Sequence, residues 1–222
     1  MERKIKAVIF DMDGVMVDSE RKALACFEET CNQLNIEFDR EFYISTIGRT
    51  YKQCDDMYTE KYGLELFNKI HSLYQEMYES YYSKGLINLK KGCREIISYL
   101  QENNIPYALA TSSPYRIVEA SFLNQGYEEV PFKYVMTGEH VKKSKPDPEI
   151  FIRASELMNV NIKACMIIED SRNGIIAAKS SGAISVLVPD IIEATKEMKD
   201  NADYIKEDLI QVRELIEQLI SK

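Results

Sequence analysis

The sequence predicts an α/β protein: a parallel sheet flanked by helices, with a helical segment inserted after its first strand. Three observations lead there. Short unbroken apolar runs rich in β-branched residues, Ala7–Phe10 and Cys165–Ile168 above all, read as strands buried on both faces. From Gly92 onward such runs alternate with helical patterns, as βα units do. Polar residues able to do chemistry stand directly after the strands, at the edge where open α/β sheets gather their ligands.

The first strand ends in Asp11-Met12-Asp13-Gly14. Gly14 permits a sharp change of direction, and two carboxylates one residue apart repel unless a cation or cationic partner offsets them. Leu24, Phe27, Cys31 and Leu34 then recur at helical spacing, so a helix is expected over about Glu20–Asn35. Thr50 with Gln53 fits a capping box that opens a second helix toward Tyr62. A third helix follows over about Leu64–Ser83, and its stripe of Tyr74, Tyr78, Tyr81 and Tyr82 reads as helix–helix packing. Strand signals are weak throughout this stretch. Alternation then resumes: a helix over Gly92–Asn103, a strand over Pro106–Ala110, and a turn at Thr111-Ser112-Ser113. Ser113 is expected to cap a helix whose first residue is Pro114. Lys133–Thr137 reads as a strand, Lys145-Pro146-Asp147-Pro148 as a loop, and Ile150–Leu157 as a helix introduced by Asp147 and Pro148. Cys165–Ile168 leads into Glu169-Asp170, then a helix over Ser171–Ser181 stopped by Gly182, and a strand over Ala183–Val188. Leu209, Val212, Leu215, Ile216 and Leu219 mark a last amphipathic helix.

Composition bounds the function. The 222 residues suit one large domain, or a core with a smaller insert. Lys and Arg total 28 against 36 Asp and Glu, a formal charge of −8, and with no basic block this argues against nucleic acid as a partner. Five cysteines without a CxxC pair fit reduced, packed thiols. Apolar runs fall short of the roughly 18 residues a bilayer span needs, and Asp11 and Asp13 interrupt any signal-peptide core. The expectation is a cytoplasmic monomer without a membrane or nucleic-acid partner.

Asp11 and Asp13, Thr111, Lys145, and Glu169 with Asp170 follow strands or precede helices in that order, so a parallel sheet brings them to one edge. Together they offer a carboxylate nucleophile, a second carboxylate for proton transfer, a hydroxyl, a fixed cation and oxygen ligands for a hard metal such as Mg²⁺. Helices starting after Ser113 and Ser171 would aim N–H groups at an anion. This set suits phosphoryl transfer through an aspartyl-phosphate.

On these residues the sequence resembles the haloacid dehalogenase superfamily, in its phosphatase and phosphomutase branch. The four motifs are Asp11-Met12-Asp13-Gly14-Val15, Ala110-Thr111-Ser112-Ser113, Lys145-Pro146-Asp147-Pro148 and Ile168-Glu169-Asp170-Ser171. The resemblance implies a Rossmann-like core, residues 1–17 and 88–222, and a helical cap, residues 18–87. It implies Asp11 as the nucleophile and Asp13 as acid and base, with Thr111, Ser112 and Lys145 holding phosphate. It further implies Mg²⁺ bound by Asp11, Asp13 (through its backbone carbonyl) and Asp170, with Glu169 beside or within the shell. In the cap, Gly48-Arg49-Thr50 resembles a substrate loop, which makes Arg49 a candidate substrate contact. With Arg49, the cap residues Tyr43, Tyr51 and Tyr78 could suit a sugar, a nucleotide or a small acid phosphate, while His71 and His140 read as structural or surface residues.

The resulting expectation is a Mg²⁺-dependent phosphatase of a small phosphorylated metabolite, a sugar phosphate by preference. A β-phosphoglucomutase-type enzyme is the alternative, but its pattern has a histidine where this chain reads Glu20-Arg21-Lys22-Ala23-Leu24. A phospho-aspartate receiver module is the third reading. Such modules are much shorter, lack a cap, and carry the phosphorylated aspartate after a later strand.

Overall fold

The computed structural model describes residues 4–47, 49 and 51–220. β1 (Ala7–Phe10) is followed by α1 (Ser19–Gln33), α2 (Arg40–Thr46), α3 (Tyr51–Tyr62) and α4 (Leu64–Ser83) before any second strand. Then come α5 (Cys93–Glu102), β2 (Tyr107–Thr111), α6 (Tyr115–Leu123), β3 (Tyr134–Thr137), α7 (Glu149–Leu157) and β4 (Cys165–Glu169). The chain ends with α8 (Arg172–Ser181), β5 (Ile184–Leu187), α9 (Lys196–Asp200), β6 (Tyr204–Ile205) and α10 (Leu209–Leu219).

The six strands form one parallel sheet in the order β3-β2-β1-β4-β5-β6. Strand order reverses at β1, which lies between β2 and β4, so the crevice for a ligand opens at the carboxyl end of β1. Alternation along β1 explains its unbroken apolar run. Val8 and Phe10 face a layer built by α5, α6 and α10, including Ile96, Leu100, Phe122 and Val212. Ala7 and Ile9 face the opposite layer with Ala108, Ala110, Ala154, Ala177 and Ala178, small residues that let α7 and α8 lie close to the sheet.

The helices α1–α4 carry a separate apolar cluster, Phe27, Cys31, Tyr43 and Ile70, with Phe27 ringed by Tyr43, Tyr58 and Tyr74 at centroid distances of 5.1, 5.5 and 6.1 Å. This insert leaves and rejoins the sheet at one place. Val17 pairs antiparallel with Leu89, the Asp18 N–H donates to the Asn88 carbonyl at 2.8 Å, and the Lys90 N–H donates to the Met16 carbonyl at 2.9 Å. Asp190, just beyond β5, closes the junction: its Oδ1 accepts from Arg21 and from Lys90, each at 2.5 Å.

The strand and helix expectations hold within a residue or two, with four differences. α2 has only seven residues, too few for a helical period to show; Asp39 caps it by accepting from the Phe42 N–H at 2.9 Å. α9 and β6, of five and two residues, escape detection for the same reason. The helix after β2 starts at Tyr115 with Pro114 at the cap position, because the Ser113 hydroxyl is engaged elsewhere. α7 likewise starts one residue late, at Glu149, although Asp147 still accepts from the Glu149 N–H at 3.0 Å. Gly48 and Thr50 of the expected loop and capping box lie outside the described residues.

Candidate active site

β1 delivers Asp11 and β4 delivers Glu169 and Asp170 to neighbouring positions at the carboxyl edge, and the loop before α7 swings Lys145 between them. Lys145 Nζ donates to Asp11 Oδ1 at 2.5 Å, to Glu169 Oε1 at 2.7 Å and to the Ala110 carbonyl at 3.3 Å, and it sits 4.8 Å from the centroid of the Phe151 ring. Burial alone would lower its pKa, but the Asp11 and Glu169 charges outweigh burial and raise it, so it stays an ammonium. Asp11 is raised well above the ordinary carboxylate range by burial. Lys145 pulls it down, while Glu169 and Asp13 add to the rise.

Glu169 is almost wholly engaged. Its second oxygen accepts from the Asp170 N–H, the Ser171 N–H and the Ser171 hydroxyl at 3.0, 3.0 and 2.9 Å. Ser171 in turn caps α8 by accepting from the Gly174 N–H at 3.0 Å. Two glycines make this crowding possible. A Cβ on Gly14 would lie 2.0 Å from Asp170 Oδ2, at a φ of +73°, and one on Gly174 would lie 1.9 Å from the Glu169 carboxyl carbon.

The Asp13 carboxylate turns another way. Its Oδ2 accepts from the Ser113 hydroxyl at 2.7 Å and the Thr111 hydroxyl at 3.3 Å, and its Oδ1 from the Tyr82 hydroxyl at 3.1 Å. Burial and the Asp13 charge push the Tyr82 phenol far up, which keeps it a donor. Thr111 itself is fully buried and accepts from the Ser113 N–H at 3.0 Å. It is Ser112 that lines the reaction pocket, a cavity of about 250 Å³ bordered also by Asp11, Asp13, Lys145, Glu169 and Asp170.

Oxygen atoms of Asp11, Glu169 and Asp170 all fall within 4.8 Å of one another. Burial, reinforced by Glu169 and Asp11, raises Asp170 well above its ordinary value. Three crowded carboxylates share one ammonium, which bridges only two of them, so the site has the charge and hard oxygen donors that a Mg²⁺-sized cation requires. The residues fit the metal.

Arg49 is exposed, and its Nε donates to the Ser45 carbonyl at 2.6 Å, so it lies along the end of α2 outside the pocket wall. The neighbouring Ile47 does reach that wall. Sequence reasoning missed four residues at the site. In the sequence Ser113 reads as a cap and Tyr82 as packing, and Glu20 and Asp190 carry no motif. A hydroxyl doublet after a strand, and a tyrosine one helical turn after Tyr78, were the available signals. Glu20 lines the pocket; burial, with Asp13 and Asp190 adding to it, pushes its carboxyl from 4.5 to about 7. His140 is structural, as expected: its Nδ1 accepts from the Thr137 N–H at 3.1 Å.

A parallel sheet that gathers two aspartates, a lysine and an acidic pair at its switch point defines an enzyme of phosphoryl transfer. Residues 8–188 match the family of haloacid dehalogenase-like hydrolases. A phosphorylated carbohydrates phosphatase of Thermotoga maritima is 30% identical over 183 residues, covering 80% of this chain and 82% of that protein. The β-phosphoglucomutase of Bacillus subtilis is 27% identical over 195 residues, covering 82% of each. The crystal structure of CbbY from Rhodobacter sphaeroides in complex with phosphate superposes with a TM-score of 0.73 at 25% identity, covering 94% of this chain and 96% of that one. The chain belongs to the haloacid dehalogenase-like hydrolases, in their phosphatase and phosphomutase branch, and is a phosphoric monoester hydrolase.

Proposed function

We propose that this enzyme is a Mg²⁺-dependent phosphatase that removes phosphate from a small phosphorylated sugar or related metabolite through an aspartyl-phosphate on Asp11. The observation that carries the reading is the Lys145 ammonium held between Asp11 and Glu169 beside a second carboxylate, Asp13, that is separately anchored. The phosphatase and the β-phosphoglucomutase among the relatives, and the phosphate in the CbbY structure, support it.

Lys145 holds one oxygen of Asp11, which fixes the carboxylate and presents its other oxygen to phosphorus. As the Asp11–phosphorus bond forms, the bond to the leaving oxygen breaks, and Asp13 gives that oxygen its proton. Asp13 then takes a proton from the water that attacks the phosphorus of the intermediate, releasing phosphate and restoring Asp11. Ser113, Thr111 and Tyr82 hold the Asp13 carboxyl between these two acts. Ser112 and Lys145 serve the phosphate oxygens, whereas Thr111, expected to share that role, is buried and acts through Asp13 and Ser113. Asp11, Asp170 and the Asp13 carbonyl would hold Mg²⁺, with Glu169 mainly positioning Lys145 and the loop that carries Asp170. The metal, when bound, supplies positive charge to the phosphoryl oxygens. Residues 18–87 act as a cap on the core, and Arg49 is its substrate-capturing cation once the cap closes.

The segment Glu20-Arg21-Lys22-Ala23-Leu24 holds no histidine where the mutase pattern of this branch carries one, and this favours hydrolysis over transfer between sugar positions. The deciding experiment measures phosphate release from a panel of phosphomonoesters with and without Mg²⁺, including glucose 1-phosphate with a bisphosphate activator. Asp11→Asn should lower turnover at least about a thousandfold with the fold intact. Retention of a tenth of the wild-type rate would exclude the covalent route, and faster isomerisation of glucose 1-phosphate than phosphate release would make the enzyme a mutase.

A further inference from the structure

Beside the aromatic cluster around Phe27 lies a half-open pocket of about 380 Å³. That volume is within the range of small-molecule sites, which begin near ~300 Å³. Six aromatic side chains help to line it: Phe27, Tyr43, Tyr58, Phe67, Tyr74 and Tyr78. Tyr74 and Tyr78 stack at 5.5 Å with an interplanar angle of 10°, and Tyr58 and Phe67 at 5.8 Å and 16°, so the wall offers two aromatic stacks. Asp55, His71 and Gln75 add polar groups at its exposed side.

This cavity adjoins the reaction pocket, since Glu20 and Ile47 line both. Between phosphate and aromatic wall the surface is acidic. Asp190 also lines the reaction pocket; its side chain is 2% exposed, and Oδ2 is buried with no hydrogen-bond partner while Oδ1 carries both Arg21 and Lys90. A buried acceptor left open costs free energy unless a donor arrives, and a hydroxyl is a donor that leaves the local charge unchanged.

We propose that the substrate is a phosphomonoester whose hydroxylated linker carries a planar aromatic ring, the ring lying in the aromatic cap cavity and the linker hydroxyls meeting Glu20 and Asp190. A nucleoside 5′-monophosphate or a phosphorylated flavin has this chemistry; a bare sugar phosphate leaves the cap cavity empty. The proposal rests on the phosphatase reading and extends it to the leaving group.

The test uses matched pairs that differ only in the ring. Adenosine and uridine 5′-monophosphates are compared with ribose 5-phosphate, and flavin mononucleotide with ribitol 5-phosphate, by kcat/KM in saturating Mg²⁺. At least one ring-bearing member should exceed its partner by about tenfold or more, the order that one base–aromatic stack commonly supplies. Ala23→Leu then pushes a branched side chain into the cavity from α1, where Ala23 lines the wall. It should reduce the ratio within the favoured pair about tenfold, and reading a ratio removes any general loss of folded enzyme. Calorimetric titration of the metal-free wild-type protein with adenosine, uridine and riboflavin gives a readout independent of turnover, with one of them expected to bind. Ring-free members turned over as fast as or faster than every ring-bearing partner would overturn the aromatic subsite and leave the phosphatase standing. No hydrolysis of any member by folded, Mg²⁺-loaded protein would overturn the phosphatase reading itself.

Discussion

Lys145 and Arg49 are both cations assigned to phosphate chemistry, but their surroundings separate their roles. Lys145 is buried between two carboxylates, and Arg49 is exposed just beyond α2. Lys145→Ala should therefore lower kcat by roughly a hundredfold or more, as loss of a preorganised charge at the reacting group does. Arg49→Ala should mainly raise KM. Equal losses of kcat in both variants, with KM unchanged, would place Arg49 in the chemical step. Glu20 has a different signature. Burial lifts its carboxyl from 4.5 to about 7, so between these values the folded protein keeps a proton that the unfolded chain releases. Unfolding then sheds a proton, and stability falls as pH rises across this window. Glu20→Gln should remove that fall: little change near pH 4, and a gain at pH 8 of at most about 3.5 kcal/mol by the usual ~1.4 kcal/mol per unit. Urea unfolding of Mg²⁺-free protein at both pH values measures it, and a variant whose stability still tracks wild type at pH 8 would contradict the assignment.

The two glycines at the site belong with the elements they join. Gly14 lets the turn after β1 pass against Asp170, and Gly174 lets the first turn of α8 rest on Glu169. Alanine at either position must displace a carboxylate rather than a flexible side-chain tip. Gly14→Ala, which also meets the left-handed backbone at φ +73°, should raise the Mg²⁺ needed for half activity about tenfold or more. A magnesium titration of activity that superposes on wild type would show that the loop yields without moving Asp170. The elements themselves were legible to the extent that they were long. The apolar runs of β1 and β4 and the twenty-residue α4 were plain in the sequence. α2, α9 and β6 were not, because seven, five and two residues hold too little of any period. The four motifs located Asp11, Lys145 and Asp170 because each follows a strand or precedes a helix. Tyr82 and Asp190 were invisible for the opposite reason: folding alone brings them in, from positions 69 and 179 residues away from Asp13 and Asp11.

Over the chain as a whole, metal binding at the acidic cluster would be linked to folding. A cation that binds the folded acidic cluster and not the unfolded chain stabilises by mass action, by roughly 2.7 kcal/mol at a hundredfold excess over its dissociation constant. Mg²⁺ should therefore raise the thermal midpoint, chelator should reverse the rise, and Asp170→Ala should abolish most of it. A midpoint indifferent to Mg²⁺ in wild type would count against a metal at Asp11, Asp170 and the Asp13 carbonyl. Among the described residues no helix is long and apolar enough to cross a membrane.

The junction at Val17 and Leu89 has one more consequence. The ingoing and outgoing chains of the insert are hydrogen-bonded neighbours, with the Asp18 N–H donating to the Asn88 carbonyl, and the end of α4 is also seated on the core through Tyr82, whose carbonyl accepts from Asn124. Lengthening, shortening or exchanging what lies between two such neighbours leaves the register of the strands beneath it unchanged. On the reading proposed above, recognition of the leaving group is written on a cassette, and the phosphorus chemistry on the chassis. A foreign cassette spliced at these two neighbouring residues could bring a new appetite to an unchanged nucleophile, provided it carries a phenol where Tyr82 meets Asp13.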